Sequence, residues 1–154
     1  PRTTALRLAR AKAEDVAARA ADAVVIGSDQ VADVDGVALS KPVTHAHALD
    51  QLTRMQGRII VFHTALAVVH TASGKALVDS VPTSVRFRRL PRATLEAYLQ
   101  AEQPYDCAGA AKIEGLGIAL VAAVESEDPT ALIGLPLIRL TAMLEEAGVE
   151  VLPR

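Results

Sequence analysis

Asp29 follows the apolar run Ala23-Val24-Val25-Ile26, which reads as a strand covered on both faces and broken off at Gly27-Ser28. A carboxylate just beyond such a strand lies where open α/β sheets hold their ligands. There it can bind a divalent cation or take a proton from water, or it can be the aspartate that closes a turn. Gln30 beside it offers one amide for reading a base. Lys12 comes shortly before the strand, and Lys41 follows it between Ser40 and Pro42. Two ammonium groups flanking a carboxylate suit a metal–triphosphate complex, because they balance phosphate charge while the metal polarises the phosphorus. The plainer reading of each is a solvated surface lysine.

A further candidate stretch is Lys112-Ile113-Glu114-Gly115, set between Gly109 and Gly117. Small residues allow a flat ligand to approach the backbone. Glu114 can accept two hydrogen bonds from adjacent N–H groups, as the ring N–H and exocyclic amine of guanine present them. Lys112 joins it as a candidate substrate contact. The alternative for Glu114 is an exposed hairpin residue. Cys107 lacks a histidine and carboxylate around it and reads as a buried thiol.

These residues need elements to carry them. Apolar residues at helical spacing from Thr3 to about Ala20 predict a helix bearing Lys12, with Leu6, Ala9, Ala13, Val16, Ala17 and Ala20 on its inner face. Asp35-Gly36 predicts a tight hairpin turn within 31–39. Thr44 caps a helix running to Met55, with Gly57 as its stop. Residues 58–72 and 76–89 read as paired strands around Ser73-Gly74, and Pro82 places an edge or an irregularity in the second. Pro91 opens a helix carrying Leu95, Tyr98 and Leu99. Ile118–Val124 predicts a strand. A last helix carries Leu137, Leu140, Thr141, Leu144 and Ala147, stops at Gly148, and is followed by an edge strand over 149–152. The class is α/β, a mixed twisted sheet flanked by helices.

The 154 residues fit one domain, and 51% hydrophobic residues exclude a disordered chain. A net charge of −2 gives no electrostatic reason to expect nucleic acid or an anionic membrane as partner. A single cysteine excludes an intrachain disulfide and suits a reducing compartment, so the cytoplasm is the expected location. His45, His47, His63 and His70 form no metal-binding spacing.

Five stretches carry a family resemblance: Ala9-Arg10-Ala11-Lys12-Ala13, Ile26-Gly27-Ser28-Asp29-Gln30, Ser40-Lys41-Pro42, Cys107-Ala108-Gly109 and Gly134-Leu135-Pro136-Leu137. In this order they resemble the Maf (septum-formation-inhibitor-like) nucleotide pyrophosphatases across almost the whole chain. The resemblance implies hydrolysis of a nucleoside triphosphate to a monophosphate and diphosphate, a divalent cation (Mg or Mn), a homodimer and a cytoplasmic enzyme. It makes Asp29 the proton acceptor and a metal anchor, and gives Gln30 and Glu114 a part in substrate choice. Where the branch acting on dTTP and UTP has glutamine, this chain has Glu114. Together with Glu125-Ser126-Glu127-Asp128-Pro129 and Leu132-Ile133-Gly134-Leu135-Pro136, this is similar to the branch acting on 7-methyl-GTP. N7-methylation makes the purine cationic and its N1–H more acidic, which favours an anionic double acceptor. The same family with a pyrimidine nucleotide, or a non-catalytic regulator of septum formation, are the alternatives. The family's opening strand and Ser-x-Ser-Pro-Arg-Arg loop are not among these residues, so a single domain lacking them is expected.

Overall fold

Alanines four residues apart set the first contact. In the computed structural model, which describes residues 1–153, Arg2–Ala17 form helix α1, whose buried residues are Ala5, Ala9 and Ala13. The expected inner face shifts accordingly, and Val16 is 49% exposed. A stripe of methyl groups leaves the helix backbone free to approach its neighbour closely. That neighbour is Gly27, where an added Cβ would stand 2.4 Å from the Ala9 carbonyl oxygen and 2.9 Å from the Ala13 Cβ.

Strand β1 spans Val24–Val34 and β2 spans Val37–Leu39. Between them Asp35 and Gly36 take φ of 52° and 85°, the pair of left-handed residues that a tight hairpin of this type needs. Helix α2 (His45–Met55) is capped by Thr44, whose hydroxyl accepts from the His47 N–H. Strands β3 (Ile59–His70) and β4 (Lys75–Phe87) follow, then α3 (Arg92–Glu102), β5 (Val121–Ser126) and α4 (Leu137–Glu146). Short 3-10 turns occupy 108–110, 116–120 and 131–133.

The five strands form one sheet in the order β2-β1-β3-β4-β5. The α/β class with flanking helices is as expected, and the pairings within it run antiparallel where a mixed sheet was anticipated. β1 and β2 pair antiparallel. Hydrogen bonds link Ala23 to Thr71, Ser28 to Ala65 and Gln30 to Thr64, a register that runs β1 and β3 in opposite directions. The bonds from Arg88 to Leu120 and from Ser126 to Pro82 do the same for β4 and β5. Short hairpin turns after β1 and β3 leave no room for the long crossover that adjacent parallel strands require.

Three expectations change. β1 does not stop at Gly27 but continues through Ser28, Asp29 and Gln30, so Asp29 lies inside a strand, and Ile26 is 43% exposed rather than covered. Pairing with β3 holds the backbone extended through residues that locally favour a turn, since β2 reaches only Ala32–Val34. The strand expected from Ile118 begins at Val121, because 116–120 close into a 3-10 turn. Residues 149–152 form no strand. Pro82 fits where it stands: β5 reaches no further along β4 than its partner Ser126.

The chain divides into two compact units. One comprises Val31–Phe62 and Thr83–Glu125 with Pro1; the other comprises Arg2–Gln30, His63–Pro82 and the residues from Ser126 onward. In the second unit every residue from Thr64 to Val69 is buried. Ala67 and Val69 pack with Ala13 and Val25 on the α1 side, while Leu66 and Val68 pack with Leu140 and Met143 on the α4 side. Burying side chains of this size stabilises by roughly 1.5–3 kcal/mol each for the larger ones. In the first unit α2 packs on α3, and Gly109 at φ 69° brings its backbone against Met55 and Ala32.

Gly27→Ala is expected to lower the unfolding free energy by about 1–3 kcal/mol, since backbone rather than a flexible side chain must yield. Urea denaturation at unchanged slope reads this, and an unshifted midpoint would show that α1 moves without penalty.

Candidate active site

The approach at Gly27 sets α1 at a fixed height above β1. Lys12, one residue before the Ala13 that touches Gly27, then reaches Asp29, with Nζ 2.6 Å from Oδ1. The same ammonium donates to the Ser28 carbonyl at 3.1 Å. The Asp29 side chain is only 15% exposed, whereas that of Lys12 is 58% exposed. A shielded carboxylate is thus held by a cation whose outer side still faces solvent. The pair leaves Asp29 Oδ2 outside the contact with Lys12, and of the three N–H donors of Lys12 one remains for an anion.

Gln30, next along β1, is tied down. Its Nε2 donates to Thr64 Oγ1 at 2.9 Å, to the Ala131 carbonyl at 3.1 Å and to the Leu132 carbonyl at 3.0 Å. Thr64 in turn donates to the Ala131 carbonyl at 2.8 Å. Two carbonyl acceptors fix which end of the amide carries nitrogen. Any contact Gln30 makes to a base through its free end therefore accepts a hydrogen bond. Ser28 Oγ lies 2.9 Å from the Ala65 carbonyl and 2.6 Å from that of Gly134, joining β1 to the same loop.

Asp128 organises this loop, and nothing in the spacing of its neighbours marks it beyond helix-start chemistry. It is 2% exposed. One carboxylate oxygen accepts from the Thr130 N–H and hydroxyl at 2.9 and 2.6 Å. The other accepts from the Ile138 and Arg139 N–H groups at the start of α4, at 2.8 and 3.4 Å. Burial pushes this carboxyl up, but the bonds from Thr130, Ile138 and Arg139 together outweigh it and hold it below the ordinary range.

Lys12, Asp29 and Gln30 are thus brought together in one unit, while Lys41, Lys112 and Glu114 belong to the other. Lys41 is exposed, between Ser40 and the fully buried Pro42. Lys112 pairs with Glu102 at 3.0 Å, and Glu102 also accepts from the Leu116 N–H at 2.8 Å. Glu102 is the partner that sequence reading missed, because it sits at the far end of α3 with no motif around it. Glu114 is exposed in the turn that Lys112 and Glu102 close. Tyr98 supports the turn from below, donating to the Ala110 carbonyl at 3.0 Å and accepting from the Lys112 N–H at 3.1 Å. Burial raises its phenol to about 12. Burial likewise raises the Cys107 thiol to about 11, helped by Asp106, which keeps it protonated at neutral pH.

Among the described residues no three or more His, Cys, Asp or Glu side chains are grouped to hold a metal ion. The donor set fits a cation brought by a triphosphate: magnesium commonly takes one or two carboxylates and completes its shell with phosphate oxygens and water. Asp29 offers one such oxygen.

The family model for Maf-like protein matches residues 1–147, and the chain belongs to the Maf family. Its relatives have a more particular name. A 7-methyl-GTP pyrophosphatase of Methylobacillus flagellatus is 55% identical over 152 residues, 99% of this chain and 79% of that protein. One of Albidiferax ferrireducens is 54% identical, covering 99% of this chain and 76% of that protein. One of Burkholderia lata is 60% identical over 150 residues, 96% of this chain and 71% of that protein.

Asp128→Asn is expected to destabilise by ~1–3 kcal/mol at neutral pH, because an amide nitrogen would face the N–H groups the carboxylate serves. Since the folded carboxyl lies below its ordinary 3.8, this contribution is complete above that pH and fades as pH falls through the lower folded value. Unfolding curves of the two proteins should therefore converge in acid; a gap that stays constant would assign the stability elsewhere.

Proposed function

We propose that this protein is a nucleoside triphosphate pyrophosphatase that hydrolyses 7-methyl-GTP to 7-methyl-GMP and diphosphate, clearing modified nucleotides. The observation that carries the reading is the Lys12–Asp29 pair, a shielded carboxylate beside a solvent-facing cation. Membership of the Maf family and the names of the relatives support it.

Asp29 acts as the general base. It accepts a proton from a water molecule whose oxygen bonds to the α-phosphorus as the α–β anhydride bond breaks and diphosphate leaves. Lys12 orients the carboxylate and, with Lys41, balances the charge of the phosphates, so that position and electrostatics supply most of the rate. A bound magnesium or manganese ion, anchored by Asp29, would polarise the phosphoryl oxygens. Lys112, steadied by Glu102, is the remaining cationic substrate contact. Glu114 accepts from the ring N–H and exocyclic amine of the base, where a cationic 7-methylguanine strengthens both bonds. Gln30 contributes to the choice of base through its carbonyl end. The reading carries with it a homodimer in the cytoplasm; among the described residues no helix is long and apolar enough to cross a membrane.

Diphosphate release should be measured from 7-methyl-GTP, GTP, UTP and dTTP with magnesium or manganese. The expected result is selective release from 7-methyl-GTP, reduced at least about 100-fold in Asp29→Ala. Release from no nucleotide would overturn the reading. Separately, Glu114→Gln should lower kcat/KM for 7-methyl-GTP by roughly 10-fold, the difference between a charged and a neutral acceptor. If turnover of 7-methyl-GTP and of the pyrimidine nucleotides is unchanged in that variant, Glu114 does not read the base.

A further inference from the structure

Gln51 is a polar residue in a place made for an apolar one. It lies on the inner face of α2 with Ala48, Leu49, Leu52 and Met55, all buried, and is itself 8% exposed. Its Nε2 donates to the Ser40 carbonyl at 2.9 Å. Its Oε1 is buried and has no hydrogen-bond partner among the described residues. A buried amide with one end unsatisfied is unfavourable relative to a methionine or leucine of similar volume. What the side chain does accomplish is that one bond, to the residue preceding Lys41.

The segment around Lys41 is held at further points. Pro42 is fully buried and restricts Lys41 to an extended backbone. Val43 takes φ 63°, a left-handed conformation that a β-branched residue rarely adopts, and its N–H donates to the Tyr105 carbonyl at 3.0 Å. The Thr44 N–H donates to the Pro42 carbonyl at 2.7 Å. Strained backbone of this kind persists only where its surroundings hold it. Lys41 itself stays exposed. The backbone on either side of one exposed lysine is fixed: pairing of β2 ends at Leu39, and Gln51 carries the hold one residue further, to Ser40.

We infer that Gln51 is a positioning residue for Lys41, acting through the Ser40 carbonyl; this rests on the reading of Lys41 as a phosphate contact. Without that bond the exposed ammonium samples more positions, and substrate binding weakens while the chemical step at Asp29 does not.

The test uses the full chain with Gln51→Met and Gln51→Leu, each alone and combined with Lys41→Ala, and 7-methyl-GTP as substrate. Both Gln51 variants should raise KM about fivefold, the worth of one hydrogen bond, with kcat within about twofold of wild type. Their thermal midpoints should be unchanged or higher, since an unsatisfied buried carbonyl is removed. In the Lys41→Ala background neither should raise KM further. If Lys41→Ala raises KM but the Gln51 variants do not, the inference fails and the role of Lys41 stands. The same rise on top of Lys41→Ala would place the effect of Gln51 elsewhere and also overturn it. An unchanged KM in Lys41→Ala alone would remove both the phosphate role and the inference built on it.

Discussion

The contact between the α1 backbone and Gly27 governs the site. No side chain stands between helix and strand there, so the separation is set by van der Waals radii rather than by a rotamer. Ala5, Ala9 and Ala13 permit it from the helix side, because each buries only a methyl group. With the helix at that height, a lysine one position before Ala13 meets a carboxylate two positions after Gly27. The ion pair adds little to stability by itself, since Lys12 is largely solvated. Its value is directional, in fixing one oxygen of Asp29.

A second constraint is that β1 runs unbroken past Asp29. A residue in a paired strand has its backbone fixed by the ladder, and a residue on a turn does not. Thr64 and the Ala131–Leu132 carbonyls then hold Gln30, and Asp128 holds the loop that supplies those carbonyls by binding both Thr130 and the first N–H groups of α4. Ser28, Gln30, Thr64 and Asp128 thus form a polar framework beside a core of alanine, valine and leucine. Each of them satisfies backbone groups that a loop buried against the sheet would otherwise leave unpaired.

Much of this was legible in the residues. Asp35-Gly36, Thr44, Gly57 and Pro91 are local signals whose mechanism lies within a few residues, and the elements they bound stand where those signals place them. The end of β1 was not legible, because Gly27-Ser28-Asp29 has turn chemistry and only pairing with β3 overrides it. The doubly covered strand is β3 rather than β1, for a related reason. Val24–Ile26 is continuously apolar yet leaves Ile26 exposed, whereas β3 is buried on both faces through Thr64–Val69 with a threonine and two alanines in the run. The proximity of Lys12 and Asp29 followed from helix and strand being adjacent in sequence. Glu102 and Gln51 could not be found that way, since each acts on a backbone group more than ten residues distant.

The turn at 112–117 is held by its neighbours and not by the residue at its tip. Glu102 secures Lys112 and the Leu116 N–H, Tyr98 secures Ala110 and the Lys112 N–H, and Gly117 lies so close to Lys112 that a side chain there would meet its backbone at 2.4 Å. Glu114 is exposed above this scaffold and takes part in none of these contacts. Exchange at that position therefore leaves those contacts intact. Such a position can be exchanged while foldability is preserved, so any recognition it serves is free to change through a single codon.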